Sequence, residues 1–331
     1  MKFIELFAGI GGFRYGLEKV GQIQPLLERF KDSKQSQSNR SRPQFTCVWA
    51  NEIDKYACQI YRKNFGEGEL YEGDIRTVQP EDIPEAEMLV GGFPCQAFSI
   101  AGKRKGFEDT RGTLFYEIAR LARINRYKVI FLENVKGLLS HEQGDTLATI
   151  FGVLDDLGYD VQWQVLNSKN FGVPQNRERV FIIGHLRGES RPKVFPIGES
   201  NQEPSKRIEV EMKYRNQKTV YNPDGISPTF RNGHGDGVRI KVHNMQPRSG
   251  NPNKGGTGHL TKENGPAYCL DGGRTNAIEK DMTIRRLTPC ECERLQGFPD
   301  GWTEGISDTQ RYKCLGNEVT TNVIQAIGEK L

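Results

Sequence analysis

Between residues 2 and 186, short apolar runs alternate with longer segments in which apolar residues recur at helical spacing. KFIELF has the length of a strand, and the GGFRYGLEKVG that follows places Phe13, Leu17 and Val20 on one helical face, with Gly21 suited to end the helix. The pairing recurs, with further strands predicted at FTCVWA, EMLVGG, KVIFLE, VQWQVL and RVFIIGHL, and further helices at KYACQIYRKNF, LFYEIARLARI and GDTLATIFGVLDDLG. This alternation predicts an α/β fold with a parallel, doubly wound sheet that binds ligands at the carboxyl ends of its strands.

Two segments depart from this pattern. Residues 22–46 end in a polar, Ser- and Gln-rich stretch without apolar periodicity, and we expect a surface excursion there. Residues 188–282 hold 13 Gly and 8 Pro, and their 15 Lys or Arg outnumber their 11 Asp or Glu, so they carry the whole formal net charge of +4. A basic, loop-rich insert predicts a surface for a polyanion, and chance placement of charge on a solvated surface is the alternative.

Length and composition narrow the class of protein. A chain of 331 residues is long enough for roughly two domains. No window approaches 18 apolar residues and 27% of the residues are charged, so we expect neither a membrane span nor a signal peptide. Seven scattered cysteines do not form a disulfide framework and predict a reducing cytoplasm. We expect no metal site, because Cys290 and Cys292 are closer together than zinc ligands usually are.

Three predicted strand ends carry groups that suit an adenosine moiety. LFAGIGG, residues 6–12, offers glycine backbone at the start of a helix, as dinucleotide and adenosyl sites do. A pyrophosphate-binding G-x-G-x-x-G would need glycine where Arg14 stands. Glu52 in NEID can accept hydrogen bonds from ribose hydroxyls, and Asp74 in GDI can accept one from an adenine amino group. Taken singly, each of these features is also typical of an ordinary surface turn.

The stretch GGFPCQAFSIAG, residues 91–102, presents a thiol directly after a predicted strand. Cys95 stands between Pro94 and Gln96, outside any apolar element, as a nucleophile would and a packed core cysteine would not. A thiol near its reference pKa of about 8.5 needs basic neighbours to form the thiolate at neutral pH. Lys103, Arg104 and Lys105 can supply that charge, and an inert buried cysteine is the alternative.

Six motifs occur in a fixed order: FAGIGG, GGFPCQAFS, ENVKGLL, QNRERVF, RRLTPCECERLQGFPDGW and LGNEVTTNV. This series resembles the DNA (cytosine-5)-methyltransferases, particularly those of bacterial restriction-modification systems. The resemblance covers residues 2–187 and about 283–328, and the insert corresponds to the variable target-recognition region of that family. It implies a Rossmann-like, doubly wound sheet of the adenosylmethionine-dependent methyltransferase fold in residues 1–187 and 315–331. A smaller, loop-rich target-recognition domain and hinge would occupy residues 188–314.

The resemblance also implies a reaction. A methyl group would pass from S-adenosylmethionine to carbon 5 of a cytosine that is flipped out of a specific double-stranded DNA sequence. Cys95 would add to carbon 6, Glu133 would donate a proton to ring nitrogen 3, and Arg179 would hold the cytosine carbonyl. Glu133 can donate only when protonated, so burial or the bound ring must raise its pKa. A salt bridge from Glu178 to Arg177 or Arg179 is the structural alternative.

The remaining assignments follow from matching motif positions. The residues that resemble the family's cofactor-binding positions are Phe7, Ala8, Gly9, Gly11, Gly12, Glu52, Ile53, Asp74, Ile75, Pro94, Asn317 and Val319. The residues that we expect to meet DNA are Gln96, Ser99, Lys103, Arg104, Arg177, Thr229 and Arg231. The last helix, about residues 318–330, would complete the first domain. Ala101 stands where close relatives often carry a polar residue near the displaced base.

Two other functions stay open at this point. An RNA cytosine-5 methyltransferase would use the same chemistry, and the large variable insert favours DNA as the substrate. A catalytically inactive DNA-binding relative would share the fold, and the joint presence of Cys95, Glu133 and Arg179 argues against it. An amino-methyltransferase is excluded, because no Asp or Asn is followed by Pro-Pro and an aromatic residue. We expect a monomer in the bacterial cytoplasm that modifies DNA. A cognate restriction endonuclease would share its target sequence and would not need to bind it.

Overall fold

The computed structural model of the protein describes residues 1–20, 45–94, 114–190, 192–197, 241–244, 260–263, 267–268, 276–280 and 283–331. Its strands are β1 Lys2–Leu6, β2 Thr46–Glu52, β3 Leu70–Glu72, β4 Met88–Gly92, β5 Val129–Val135, β6 Tyr159–Asn167, β7 Gln175–Asn176, β8 Glu178–Leu186, β9 Lys241–Asn244, β10 Leu260–Glu263, β11 Ala267–Tyr268, β12 Asn276–Lys280 and β13 Thr283–Arg286. Its α-helices are α1 Gly12–Glu18, α2 Lys55–Phe65, α3 Leu114–Asn125, α4 Asp145–Asp156, α5 Pro289–Gln296, α6 Asp308–Asn317 and α7 Thr321–Gly328.

Seven strands form one sheet in the order β3-β2-β1-β4-β5-β8-β6. The pairs β2–β3, β1–β2, β1–β4 and β4–β5 are parallel, which confirms the α/β class and the doubly wound sheet. The prediction of a wholly parallel sheet is wrong at β8, which runs antiparallel to β5 from Val129↔His185 to Val135↔Arg179. The connection from β6 to its neighbour β8 is short and contains no α-helix, whereas parallel neighbours need a long crossover.

The chain divides into two compact units. The first contains Met1–Leu166, Arg179–Ile197 and Val323–Leu331, and the second contains Asn167–Glu178 and Gly198–Asn322. Their bounds differ from those of the predicted domains at residues 167–178, 188–197 and 315–322, and the predicted functional division of the chain stays a prediction. Among the described residues, no helix has both the length and the apolar character that a membrane span requires.

The first unit has its core on the central strands. Ile4 of β1, Leu89 of β4 and Ile130 of β5 have no exposed surface, as expected of parallel strands covered on both faces. They join one cluster with the buried face of α3, which contains Phe115, Ile118, Ala119, Leu121 and Ala122. The Asp54 carboxylate caps α2 by accepting from the backbone N–H groups of Tyr56 and Ala57. The hydrophobic periodicity therefore packs the apolar face of α3 against the central strands of the sheet.

The C-terminal helix α7 packs against the first helix of the same unit. A Cβ atom on Gly328 would lie 2.9 Å from side-chain atoms of both Leu17 and Val20, so a larger residue there would have to displace these side chains. The sequence placed the last helix at about residues 318–330, and α7 is found at Thr321–Gly328. Its end therefore supports α1, the helix that follows the glycine-rich turn.

The second unit combines strands with a polar interior. Strands β10, β9, β12 and β13 form an antiparallel sheet, and β7 pairs with β11 in parallel. Helix α5 begins at a capping box in which Thr288 and Glu291 bond reciprocally to each other's backbone N–H, and it ends at Gly297 with a φ of 82°. Gln175 and Gln296 are fully buried, and Gln175 Nε2 donates to the carbonyl of Leu295 at 2.8 Å. Buried amides satisfied in this way fix local backbone geometry.

Candidate active site

The glycine-rich turn after β1 bends sharply before α1 begins. Phe7, Gly9 and Gly11 have φ values of 55°, 55° and 88°, in the left-handed region. The amide of Ala8 donates to the carbonyl of Asn51 at the end of β2, at 2.9 Å, and the amide of Gly11 donates to the carbonyl of Ala8 at 2.8 Å. The turn is therefore tied both to itself and to the neighbouring strand.

Glu52 connects this turn to the end of β2. Its Oε2 accepts from the amide of Gly9 at 2.8 Å, while its Oε1 accepts from the amides of Ile53 and Asp54, each at 2.8 Å. Three backbone donors hold the carboxylate in one orientation. A hydroxyl of a ligand on the glycine turn would meet a pre-oriented acceptor, which fits the predicted ribose contact.

Asn51 is a positioning residue that the sequence reasoning missed. It is buried, and its Nδ2 donates to the carbonyls of Gly73 at 2.8 Å and Tyr71 at 3.3 Å. The amide of Gly73 in turn donates to the carbonyl of Glu52 at 2.9 Å. These bonds join the ends of β2 and β3, next to Asp74. The sequence does carry a signal for this role, because Asn51 is a polar residue near the end of the otherwise apolar strand that runs into WANEID.

The side chains that we expect around adenine differ in how far they are exposed to solvent. The carboxylate of Asp74 accepts from the backbone N–H of Arg76 at 3.0 Å and from its Nε at 2.9 Å, and these bonds lower the pKa of Asp74. Ile53 is 65% exposed, so its apolar side chain is accessible to a ligand. Ile75 is 2% exposed and belongs to the hydrophobic core, and its predicted place beside adenine stays a prediction.

Glu133 and Arg179 come together across two antiparallel strands. Glu133 lies near the end of β5, and the register sets Arg179 opposite Val135, two residues further along and on the same face as Glu133. Arg179 Nε lies 3.0 Å from Glu133 Oε1, and both side chains are largely buried. A guanidinium and a carboxyl group side by side can together bind a planar ring that offers one acceptor carbonyl and one ring nitrogen.

Asn134 fixes the chain just before Cys95, at Phe93. Its Nδ2 donates to the carbonyl of Phe93 at 2.9 Å, and its Oδ1 accepts from the amide of Val135 at 2.8 Å. Gly92 of β4 pairs with Glu133 of β5, so the chain leaves β4 beside the predicted proton donor. Pro94 is exposed at this point. Cys95 itself lies outside the described residues, and its role stays a prediction.

The buried cysteines among the described residues do not offer another nucleophile, and Cys290 is the one described cysteine that is partly exposed. Burial raises the pKa of the thiols of Cys47 and Cys58 to about 12 in each case, so neither forms a thiolate at neutral pH. Cys292 and Cys314 are also buried. In the part of the chain that the structure describes, no three His, Cys, Asp or Glu residues are grouped to hold a metal ion.

Arg177 is placed differently from its prediction as a DNA phosphate contact. It is 2% exposed, and its guanidinium nitrogens donate to the carbonyl of Gly316 at 3.2 Å and to that of Glu318 at 2.6 Å. A buried guanidinium bonded to main-chain carbonyls serves the local fold. Arg177 therefore holds the segment that contains Asn317. Arg179, two residues later, pairs with Glu133 instead.

Other predicted site residues are outside these clusters. Asn317 and Val319 belong to the second compact unit, and their approach to a cofactor stays a prediction. The residues that lie outside the described parts of the chain are Cys95, Gln96, Ser99, Ala101, Lys103, Arg104, Thr229 and Arg231, together with most of the excursion at residues 22–46.

Comparisons with known proteins agree on the family. The profile of the family described as C-5 cytosine-specific DNA methylase matches residues 1–331. Type II methyltransferase M.HhaI of Haemophilus parahaemolyticus is 36% identical, covering 99% of this chain and 93% of the relative. Type II methyltransferase M.HpaII of Haemophilus parainfluenzae is 38% identical, covering 99% and 88%. The Dnmt2 methyltransferase of S. pombe shares the fold, with a TM-score of 0.64, 19% identity and coverage of 99% of this chain and 97% of that one.

Proposed function

This chain belongs to the C-5 cytosine-specific DNA methylase family, and we propose that it methylates carbon 5 of a cytosine flipped out of double-stranded DNA, with S-adenosylmethionine as the methyl donor. The observation that carries this proposal is the pairing of Arg179 with Glu133 at 3.0 Å at the end of β5. The two groups suit a cytosine carbonyl and ring nitrogen 3, and the loop that leads to Cys95 begins beside them.

The described strand ends fit the adenosine part of the cofactor. Gly9 and Gly11 leave the backbone of the turn open to a ligand, and the oriented oxygens of Glu52 suit the ribose hydroxyls. The exposed side chain of Ile53 suits one face of adenine, and the carboxylate of Asp74 suits its amino group. S-adenosylmethionine, when bound, supplies a methyl group on a positively charged sulfonium. Phe7, Ala8, Gly12 and Pro94 would complete the same pocket.

The protein groups overcome the low nucleophilicity of cytosine carbon 5. The thiolate of Cys95 forms a bond to carbon 6 while Glu133 donates a proton to nitrogen 3, so that carbon 5 gains electron density. Arg179 donates to the cytosine carbonyl and keeps the ring aligned. After methylation, a base removes the proton from carbon 5, the Cys95 sulfur departs from carbon 6, and nitrogen 3 returns its proton to Glu133, which restores the aromatic ring.

The relatives point to a biological setting. Because several of them are named Type II methyltransferases, we propose that this protein is the protective methylase of a restriction-modification system. It would act as a monomer in the bacterial cytoplasm, and a cognate restriction endonuclease would share the target sequence without needing to bind it. The insert at residues 188–282 would read that sequence through residues such as Thr229 and Arg231.

The test is methyl transfer to DNA by the purified full-length protein. It should transfer labelled methyl groups from S-adenosylmethionine to plasmid DNA, and bisulfite sequencing should show protected cytosines within one recurring sequence. Transfer to RNA but not to DNA would support the RNA methyltransferase alternative instead. DNA binding without methyl transfer to either substrate would support the inactive relative.

A further inference from the structure

Arg14 lies behind the glycine turn, at the position where a dinucleotide motif would carry glycine. We propose that Arg14 is a positioning residue for the cofactor: it holds the ring of Phe65 against Gly11 and thereby fixes the turn that cradles S-adenosylmethionine. This inference rests on the proposed cofactor, and Arg14 itself is not expected to touch it.

The ring of Phe65 supports the turn from behind. A Cβ atom on Gly11 would lie 2.2 Å from Phe65 Cε2, so the ring occupies the space that any side chain at position 11 would need. Gly11 also has a φ of 88°, which favours glycine for a second reason. Movement of this ring would therefore release the backbone of Gly11, whose amide closes the turn on the carbonyl of Ala8.

Arg14 covers the Phe65 ring and holds it in place. Its Cζ atom lies 4.4 Å from the ring centroid of Phe65, a cation–π distance, in a largely buried setting. Phe65 is the last residue of α2, and the ring of Tyr61, one turn earlier, lies 4.8 Å from it. Gly66 caps the helix directly after Phe65, so the helix does not continue past this ring. Side-chain packing by Arg14 and Tyr61 therefore positions the ring.

Carboxylates fix Arg14 from its backbone to the tip of its side chain. The backbone N–H of Arg14 donates to Glu5 Oε1 at 3.3 Å, and the buried Glu5 also accepts from the hydroxyl of Tyr61 at 3.4 Å. Arg14 Nε donates to Glu18 Oε1 at 3.1 Å, and Arg14 Nη1 lies 3.5 Å from Glu69 Oε2. The guanidinium is thus held in several directions while its face covers a ring, which a lysine ammonium does not reproduce.

Arg14 and Phe65 act on cofactor binding through the rigidity of the glycine-rich turn. The amide of Gly9 reaches Glu52 Oε2 only while the turn keeps its shape, and Glu52 is the proposed ribose acceptor. A turn that is ordered before the ligand arrives loses little conformational entropy on binding. Loss of Arg14 should therefore weaken cofactor binding and leave the groups that react with cytosine as they are.

The experiment compares cofactor binding by the full-length protein and its variants in calorimetry, with S-adenosylmethionine and S-adenosylhomocysteine as the probes. The variants are Arg14→Met, Arg14→Lys and Phe65→Leu. The matched control is Tyr159→Phe, which removes the 2.7 Å bond from a buried hydroxyl to the carbonyl of Tyr127, before the start of β5. Arg14→Met and Phe65→Leu should weaken binding by about tenfold, and Arg14→Lys by less, because a desolvated cation–π contact and its ordering effect are lost.

Further readouts separate positioning from general destabilisation. Arg14→Met should raise the KM for S-adenosylmethionine and leave both kcat at saturating cofactor and the KM for DNA unchanged. Hydrogen exchange at the amides of residues 9–12 should become faster. Tyr159→Phe should lower the melting temperature without changing the Kd of the cofactor, and Arg14→Met with Phe65→Leu should be less than additive.

The outcomes distinguish this inference from the proposed function. If the wild-type protein binds neither probe, the proposed cofactor is wrong. If the wild-type protein binds but Arg14→Met and Phe65→Leu bind equally well, or Tyr159→Phe loses as much affinity as they do, the positioning role is overturned. Should Arg14→Met not fold, Arg14→Lys and Phe65→Leu decide the question on the same terms.

Discussion

Arg179 Nε lies 3.0 Å from Glu133 Oε1, although the two residues belong to strands that run in opposite directions. Antiparallel pairing of β8 with β5 sets Arg179 on the same face as Glu133, at the end of the sheet where the loop to Cys95 begins. The proposed chemistry requires the Glu133 carboxyl group to carry a proton when cytosine is bound.

Glu133→Gln should lower kcat by about 10²- to 10⁴-fold, the usual contribution of a positioned proton donor. The amide keeps the size of the side chain but cannot pass a proton to ring nitrogen 3. Cofactor affinity in calorimetry should stay unchanged. Glu87→Gln is the matched control, because Glu87 pairs with Lys128 and with the backbone N–H of Lys2 away from these strand ends. Near wild-type turnover in Glu133→Gln would contradict the assigned role.

Cys95 should become covalently trapped on DNA that carries 5-fluorocytosine at the target. Methyl transfer leaves fluorine where a proton must depart, and fluorine cannot leave as a cation, so the sulfur stays bonded to carbon 6. Trapping should require S-adenosylmethionine and disappear in Cys95→Ala, while Cys290→Ala and Cys292→Ala trap normally. Mass spectrometry of the trapped peptide identifies the residue, and an adduct on another cysteine would refute the mechanism.

Glu52→Ala and Asp74→Ala should each weaken cofactor binding by about 1 to 3 kcal/mol, the range for a lost hydrogen bond to a charged group. Glu52→Ala should have the larger effect, because it also frees the amides of Gly9, Ile53 and Asp54. Calorimetry of the full-length protein measures both. Asp300→Ala is the matched control, since Asp300, like Asp74, is a carboxylate paired with an arginine, in this case Arg294. Full affinity in the Glu52 and Asp74 double variant would reject this site.

Arg177→Met should destabilise the protein by about 2 to 3 kcal/mol, since its bonds to the carbonyls of Gly316 and Glu318 are lost in a buried setting. Denaturant unfolding measures this loss. The salt dependence of DNA affinity should keep its slope, because the Arg177 side chain is 2% exposed and bonded to main-chain carbonyls. Lys103→Met, at a predicted phosphate contact, should instead reduce that slope by about one. A reduced slope in Arg177→Met would restore the original prediction.

Replacement of residues 188–282 by the corresponding segment of a relative should transfer the choice of target sequence. The chemical motifs lie outside this insert and the net positive charge lies within it, so the methyl-transfer chemistry should persist. Bisulfite sequencing of DNA from cells that express the chimera identifies the methylated sequence. Methylation of the original target by the chimera would show that recognition resides elsewhere.

Local sequence patterns were sufficient to predict most of the helices and strands of the first unit. The helix predicted at KYACQIYRKNF coincides with α2, Lys55–Phe65, because its apolar spacing, the Asp54 cap and the terminal Gly66 act over a few residues. The order of motifs was equally informative about the family. Cofactor and catalytic residues were predicted at strand ends, since a parallel sheet gathers its carboxyl ends at one edge.

The direction of β8 and the partners of the buried charged residues depended on the tertiary structure. QNRER does not reveal that Arg177 bonds to the carbonyls near residue 317 while Arg179 pairs with Glu133. Nor does FRYGL reveal that Arg14 covers Phe65 behind Gly11. Sequence by itself determined the elements and the chemical groups, because propensity, capping and periodicity act between near neighbours. The tertiary structure decided which charges meet, because strand pairing and burial join residues that are far apart in the chain and require each buried charge to find a partner.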